Sequence, residues 1–213
     1  DSATGDVVIN IYMYGYAGKR GSTEIYHTCK EELDSFFPIG YLNALCSDPE
    51  TDKALCEKFL SSLNENFKED ECLCISVKEG GIYYALWDMQ EALKDKKIHG
   101  FNIDLRSVLM LQETIEVCER TGINPYELIS DALLICVDEA NEDKLLICYN
   151  EGFMGMELSK IGYCTHNNDK LLILRDKNRN LNKPAGYKKT EPCDEIYKFR
   201  KSKEDGSLCV RKF

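Results

Sequence analysis

The sequence predicts an α/β (α+β) layered domain in which a mixed β-sheet is flanked by helices. Apolar stretches of strand length alternate along the chain with segments whose apolar residues recur every three to four positions, as on one face of a helix. Hydrophobic residues make up 43% of the 213 residues, which is enough to build a core. Because no internal repeat, low-complexity tract or linker divides the chain, we expect one domain over residues 1–198.

Four apolar stretches rich in β-branched and aromatic residues predict strands at residues 6–14, 72–77, 101–105 and 132–137. Caps and helical spacing predict helices that begin at Ser22 or Thr23, at Pro49 behind Ser47 or Asp48, at Gly81 and at Ser107. Gly122 is expected to end the last of these, which runs to Arg120.

The remaining third of the chain mixes strand and helix signals. The sequence Asn124-Pro125-Tyr126-Glu127 is typical of a capped helix start. Residues 142–150 fit either a buried strand or a helix, because their apolar run follows a good helix start. Strands predicted at 158–165 and 171–175 flank a polar turn at 166–169, which indicates a hairpin, and residues 177–189 are expected to form a loop.

The charge of the chain weighs against nucleic-acid binding. The formal net charge is −10 at pH 7, whereas phosphate contacts need clustered Lys and Arg. The basic residues near the C-terminus are expected to form a flexible, solvated tail over residues 199–213. No apolar run approaches the ~20 residues that cross a bilayer, and the N-terminus lacks the pattern of a signal peptide. These features favour a cytoplasmic protein without a membrane partner. The chain begins at Asp1 rather than Met, so we expect sequence upstream.

Eleven cysteines are scattered without a C-x-x-C pair, and Cys72-Leu73-Cys74 is the closest spacing. Zinc ribbons and iron–sulfur proteins need paired spacings, so a metal site is not expected, and structural, reduced thiols are the favoured interpretation. A thiol or metal protein stays open as a weaker alternative. The three histidines have no ligand-like spacing and are expected at the surface.

The segment with the clearest chemical pattern joins a strand to a helix through Ser76, Lys78, Glu79, Gly80 and Gly81. Paired glycines allow a backbone to approach a ligand closely, and the free N–H groups of a helix start favour an anion such as phosphate. Lys78 would add a positive charge. The same pattern also occurs where glycine merely turns the chain, and both interpretations remain open.

Several segments together resemble the AIR synthase (aminoimidazole ribonucleotide synthase) superfamily, in particular its C-terminal domain. The segments are 77–89 (VKEGGIYYALWDM), 111–118 (LQETIEVC), 122–130 (GINPYELIS), Ile161-Gly162, 194–198 (DEIYK) and the opening at 5–23. They occur in the family's order, and similar patterns occur in hydrogenase-maturation carbamoyl dehydratases and thiamine-monophosphate kinases. The resemblance covers residues 5–198.

The resemblance implies the C-terminal half of a two-domain, ATP-dependent enzyme. It implies that Ser76, Lys78, Glu79, Gly80 and Gly81 lie at a phosphate-facing loop in an interdomain cleft, with no catalytic residue assigned. The chain alone would hold no cofactor, since most ATP and Mg²⁺ ligands would lie in an N-terminal domain that is absent. The implied partners are that ATP-binding domain, or a separate subunit that supplies it, and a second copy of the chain in a homodimer.

Two departures from the family pattern bear on activity. The family's D-V-T becomes Ser76-Val77-Lys78, which loses a carboxylate and a hydroxyl, and its S-S-G turn becomes Ser130-Asp131-Ala132. They favour an alternative from another class: a stand-alone, catalytically degenerate module that binds or senses a phosphate-bearing metabolite. The aromatic side chains at 12, 14 and 16 fall on one strand face, which could form core or meet another domain.

Overall fold

A computed structural model describes residues 8–46, 49–93, 98, 100–165, 171–176 and 179–184. Seven strands in this part of the chain form one sheet: β1 (Ile9–Tyr14), β2 (Cys72–Ser76), β3 (Gly100–Asp104), β4 (Leu133–Asp138), β5 (Leu158–Thr165), β6 (Leu171–Asp176) and β7 (Arg179–Pro184). Their order across the sheet is β2-β4-β1-β5-β3-β6-β7. The neighbours β3 and β6 are parallel, and the other neighbouring pairs are antiparallel. The mixed sheet predicted from the sequence is therefore confirmed.

Six α-helices accompany the sheet: α1 (Lys19–Thr28), α2 (Lys30–Asp34), α3 (Pro49–Asn66), α4 (Gly81–Ala92), α5 (Gln112–Thr121) and α6 (Glu142–Asn150). Short 3-10 turns occur at Tyr41–Cys46, Leu105–Ser107, Pro125–Glu127 and Glu139–Asn141. None of the described helices is long and apolar enough to span a membrane.

The central strand β4 shows how the layers form. Its residues alternate between the two faces of the sheet, as the pleat requires. Leu134 and Cys136 pack with α4, while Leu133, Ile135 and Val137 pack under α3 and α6. Because both faces are covered, β4 is apolar from Leu133 to Val137 rather than alternating with polar residues, and only its last residue, Asp138, is charged. A third cluster holds α1 and α5 together.

Two predicted helix starts are wrong, for local reasons. Helix α1 begins at Lys19 rather than at Ser22 or Thr23, and the hydroxyls of those two residues instead bond back to the carbonyl of Lys19. Helix α5 begins at Gln112 rather than Ser107, because a 3-10 turn and an extended stretch intervene. Gly122 ends α5 in the left-handed region at φ 74°, as predicted.

The predicted hairpin between 158–165 and 171–175 is also wrong. Strand β3 lies between β5 and β6, so these two strands are not neighbours in the sheet. The antiparallel partner of β6 is β7, which occupies part of the segment 177–189 that we expected to be a loop. Four of its six residues are Arg, Asn or Lys, so its sequence carries no apolar run that would predict a strand. The turn residues 166–169 and the tail at 199–213 lie outside the described residues.

The structure decides three predictions that the sequence left open or supported only in part. Residues 142–150 form helix α6 rather than a strand. The sequence Asn124-Pro125-Tyr126-Glu127 forms only a 3-10 turn, although the Asn124 side chain does accept from the Tyr126 N–H as a cap. Tyr12 and Tyr14 belong to the core, since 6% and 0% of their surfaces are exposed.

The nine cysteines in the described residues are free thiols, and five of them are buried: Cys29, Cys56, Cys118, Cys136 and Cys148. These five lie in the hydrophobic clusters, where a thiol packs as a small apolar side chain. Within the described residues, no group of three or more His, Cys, Asp or Glu side chains is arranged to hold a metal ion. His27 is exposed on α1, while the other two histidines lie outside the described residues.

Candidate functional site

A pocket of about 200 Å³ lies where the end of β2 and the segment leading into β4 meet helix α3. The strand side contributes Ser76, Val77 and Lys78, together with Ile129 and residues 131–133. Helix α3 contributes Lys53, Cys56, Glu57 and Leu60. Because Lys53 lies three and four residues before Cys56 and Glu57, and Leu60 follows them by four and three, all four side chains lie on one side of the helix.

Charges of both signs surround this pocket. The side chains of Lys53, Lys78 and Glu57 are exposed, so their charges are solvated. Asp131 is half-buried, and its carboxylate accepts a hydrogen bond from the Arg20 guanidinium at 3.3 Å. Burial raises the pKa of Asp131, and the neighbouring Arg20 opposes that shift. Lys53 and Lys78 are the two cations that line the pocket, and Lys53 also forms a 3.7 Å ion pair with exposed Glu50.

The thiol that lines the pocket, Cys56, is buried and hydrogen-bonded. Burial raises the pKa of Cys56 to about 12, so the thiolate is scarce at neutral pH. The Cys56 Sγ donates to the backbone oxygen of Asp131 at 3.2 Å, which ties α3 to the start of β4. Its role in this geometry is structural.

The glycine turn is shaped by two close approaches. Gly80 has φ 89°, and a Cβ at this position would lie 2.0 Å from the Tyr84 ring. Gly81 has φ 63°, and its Cβ would lie 2.3 Å from the backbone oxygen of Tyr126. The Gly81 N–H donates to the Lys78 carbonyl at 3.0 Å, closing the turn. Close packing therefore explains why both positions are glycine. Their role at a phosphate-facing loop stays a prediction.

Segments that carried the family resemblance converge beside the pocket. The Val77 N–H donates to the Ala132 carbonyl at 2.9 Å, which extends the β2–β4 ladder towards the site. The Ser130 hydroxyl, which is buried, accepts from the Gly18 N–H at 2.7 Å and so fixes the loop before α1. The Val77 carbonyl also accepts from the Ser130 N–H at 3.3 Å, so the two departures, Ser76-Val77-Lys78 and Ser130-Asp131-Ala132, lie side by side.

The five predicted site residues divide into two groups. Ser76 and Lys78 line the pocket, whereas Gly80 and Gly81 are buried against Tyr84 and the Pro125–Glu127 turn. Glu79 is exposed between the groups and does not line the pocket.

The sequence analysis missed the contribution of α3. The only indication in the sequence was that Lys53, Glu57 and Leu60 recur at helical spacing. This spacing places them on one face of α3 but does not identify the residues that pack against that face. Asp131 was noticed only as a departure from the family turn. Its place in the pocket follows from the pairing of β2 with β4.

Comparison with solved structures places this architecture among known folds. The crystal structure of E. coli HypE superposes with a TM-score of 0.64 at 16% identity, over 92% of this chain and 55% of that protein. HypE in complex with ATP gives 0.62 at 14% identity, over 88% and 52%, and HypE in the HypE–HypF complex gives 0.56 at 18%, over 84% and 53%. PurLQS from Thermotoga maritima gives 0.52 at 15% identity, over 88% of this chain and 27% of that chain.

The chain thus spans about half the length of the HypE proteins that it matches. No family model and no curated protein sequence matches it. At these identities the likeness concerns the fold, and it agrees with the resemblance seen in the ordered sequence segments. The chain therefore shares its fold with HypE and with PurL in the PurLQS structure.

Proposed function

We propose that this chain is the C-terminal half of an AIR synthase-like, ATP-dependent enzyme and is inactive alone. The observation that carries the proposal is the match of nearly the whole chain to about half of HypE, a protein whose structure has been determined with ATP. The other half, or a separate subunit equivalent to it, would supply the nucleotide and Mg²⁺ ligands. The assembled protein would be cytoplasmic.

The size of the pocket supports a shared site. A volume of about 200 Å³ is below the ~300–1,000 Å³ of pockets that enclose drug-sized ligands. It suits a phosphate group or another small anionic part of a ligand, held by Lys53 and Lys78. The rest of a nucleotide would need walls from another domain. In this proposal the turn from Lys78 to Gly81 faces the cleft between the two domains.

The first test is the size of the native protein. An immunoblot of the source cells with antibody against this chain should show a band larger than 24.4 kDa by the mass of one small domain, ~10–15 kDa. The longer protein should then bind ATP, and the 213-residue chain should not. A longer protein that neither binds nor hydrolyses ATP with any candidate substrate would sink the proposal.

Matched lysine variants locate the site within the longer protein. Lys53→Ala and Lys78→Ala should each weaken ATP or substrate binding about tenfold, since a charge-assisted hydrogen bond contributes ~1.5–3 kcal/mol. The control is Lys58→Ala, because Lys58 is exposed on the same helix and does not line this pocket. Equal effects of all three substitutions would contradict a specific role for the pocket.

A second candidate is a stand-alone, catalytically degenerate module that binds a phosphate-bearing metabolite. The observation that favours it is the replacement of an acidic residue by Ser76 and of a hydroxyl by Lys78, which puts an ammonium group beside a small pocket. If this candidate is correct, the immunoblot should show a native protein of the same size as the 213-residue chain. Isothermal titration of the 213 residues with sugar phosphates and nucleotides should find a ligand whose binding is lost in Lys78→Ala. The absence of any such ligand would remove this candidate.

A further inference from the structure

Among the described strands, β2 lies at one edge of the sheet and differs from the opposite edge strand, β7. All five of its residues, Cys72 to Ser76, keep partial exposure, whereas five of the six residues of its neighbour β4 are buried. The sequence CLCIS contains no charge and no proline. By contrast, β7 at the other edge contains Arg179, Lys183 and Pro184, the residue types that protect edges from pairing. An uncharged edge of this kind readily accepts another strand.

The hydrogen bonds of the sheet fix which backbone groups of β2 face outwards. Val77 donates to Ala132, so this antiparallel pair is a hydrogen-bonded one. Bonded and non-bonded pairs alternate along an antiparallel ladder, so the groups of Leu73 and Ile75 also point to β4. The C=O group of Cys72 and both backbone groups of Cys74 and Ser76 therefore point away from the sheet, while the Cys72 N–H donates to the Lys68 carbonyl at 3.4 Å.

We propose that two copies of this chain associate through antiparallel pairing of their β2 strands, with Cys74 at the two-fold axis. This register pairs Cys74 with its own copy and Cys72 with Ser76 of the other chain. Because the Cys72 N–H is already bonded to Lys68, the central Cys74 pair exchanges two hydrogen bonds and each Cys72–Ser76 pair forms one, so the ladder contains about four. On either side, Leu73 of one chain faces Ile75 of the other, so apolar side chains also match.

Charge complementarity selects the same register. Exposed Asp70 lies four residues before Cys74, and exposed Lys78 lies four residues after it. Antiparallel pairing about Cys74 brings Asp70 of each chain near Lys78 of the other, at both ends of the ladder. A shift by two residues would lose this match of opposite charges. A short ladder buries little surface, so we expect a weak and concentration-dependent dimer.

A charge-swap series tests this register in the 213-residue chain. Sedimentation velocity at 0.15 M salt, up to about 1 mM protein, should show a monomer–dimer equilibrium. Asp70→Lys and Lys78→Asp should each weaken the dimer about tenfold, because each creates two like-charge contacts of roughly 0.5–1 kcal/mol. The double variant should restore the wild-type dissociation constant to within about threefold. A monomer throughout this range, or a double variant no better than the single ones, overturns the proposal.

A backbone variant tests the ladder itself. Cys74→Pro removes an N–H group that points outwards, so the bonds between β2 and β4 are kept while pairing with a second copy is blocked. We expect a loss of dimer affinity of at least a hundredfold, with Cys74→Val as the control that keeps the N–H group. Circular dichroism checks that both variants fold.

Hydrogen exchange provides a readout that needs no variant. The amides of Cys74 and Ser76 should become protected as protein concentration rises, while those of Leu73 and Ile75, bonded to β4, should be protected at every concentration. A dimer that forms without this change lies on another surface and refutes the proposal.

Discussion

The close approach of Gly81 to the neighbouring 3-10 turn makes one substitution informative. In Gly81→Ala, the new Cβ would lie 2.3 Å from the Tyr126 backbone oxygen and 2.8 Å from the Glu127 Cα. Backbone atoms cannot swing away as a side-chain end can, so the turn or the helix must shift. The positive φ of 63° adds strain for any residue with a Cβ. We add ~1–2 kcal/mol for the left-handed conformation and ~1–3 kcal/mol for overpacking, so the free energy of unfolding should fall by about 2–5 kcal/mol.

Urea denaturation followed by circular dichroism measures this loss. The matched control is Gly152→Ala, since nothing lies within 4 Å of its added Cβ. The control should change the free energy of unfolding by less than about 1 kcal/mol, in either direction. If Gly81→Ala also changes it by less than 0.5 kcal/mol or so, within the error of the method, then the packing argument for this turn is wrong.

Three further predictions use titratable groups. Burial raises the pKa of Asp131, so its contribution to stability is present at low pH and is lost as pH rises through the folded pKa. The free energy of unfolding of the wild type minus that of Asp131→Asn, from urea unfolding at pH 3–7, should therefore fall as pH rises. With its pKa raised to about 12, Cys56 should resist iodoacetamide at pH 8 while exposed Cys46 reacts, as measured by peptide mass spectrometry. The hydroxyl of Tyr12 donates to Glu142 and lowers the pKa of that carboxyl, so Tyr12→Phe should cost about 1–3 kcal/mol at pH 7 and less as pH falls through the lowered pKa of folded Glu142, as measured by urea unfolding.

The elements that the sequence predicted well are those whose pattern is local. The buried strand β4 and the helix after Gly81 follow from apolar runs and a glycine turn, so their positions needed no tertiary information. Strand β7 was missed because polar residues form it, and pairing with β6 makes it a strand. The false hairpin has the same origin, since only the sheet order shows that β3 separates β5 from β6.

The candidate site was predictable to a similar extent. Ser76 and Lys78 stood out because they follow a strand and precede a glycine turn. The contribution of α3 could not be read from the sequence, because helical spacing identifies a face without saying what packs against it. Cys56 is an example of what the sequence could not show. In the sequence it is one of eleven cysteines, and only the hydrogen bond from its thiol to the Asp131 carbonyl locates it at the pocket.

One residue, Lys78, belongs both to the pocket and to the proposed β2 interface. Lys78 lines the pocket and also lies at the end of the proposed ladder, near Asp70 of the second chain. If both proposals hold, an anion at the pocket and the carboxylate of the second chain compete for the same ammonium group. Binding linkage is reciprocal, so the anion must weaken the dimer by the factor by which the dimer weakens anion binding.

Inorganic phosphate is a suitable probe of this competition. Adding it at constant ionic strength should raise the dimer dissociation constant of the 213-residue chain severalfold in sedimentation velocity, with sulfate and chloride as comparison anions. In the Lys53→Ala variant the effect should shrink, because a second cation of the pocket is lost while the ladder is unchanged. If phosphate has no effect on a dimer that responds to the charge swap at Asp70 and Lys78, the ladder is supported and the anion site at Lys78 is not.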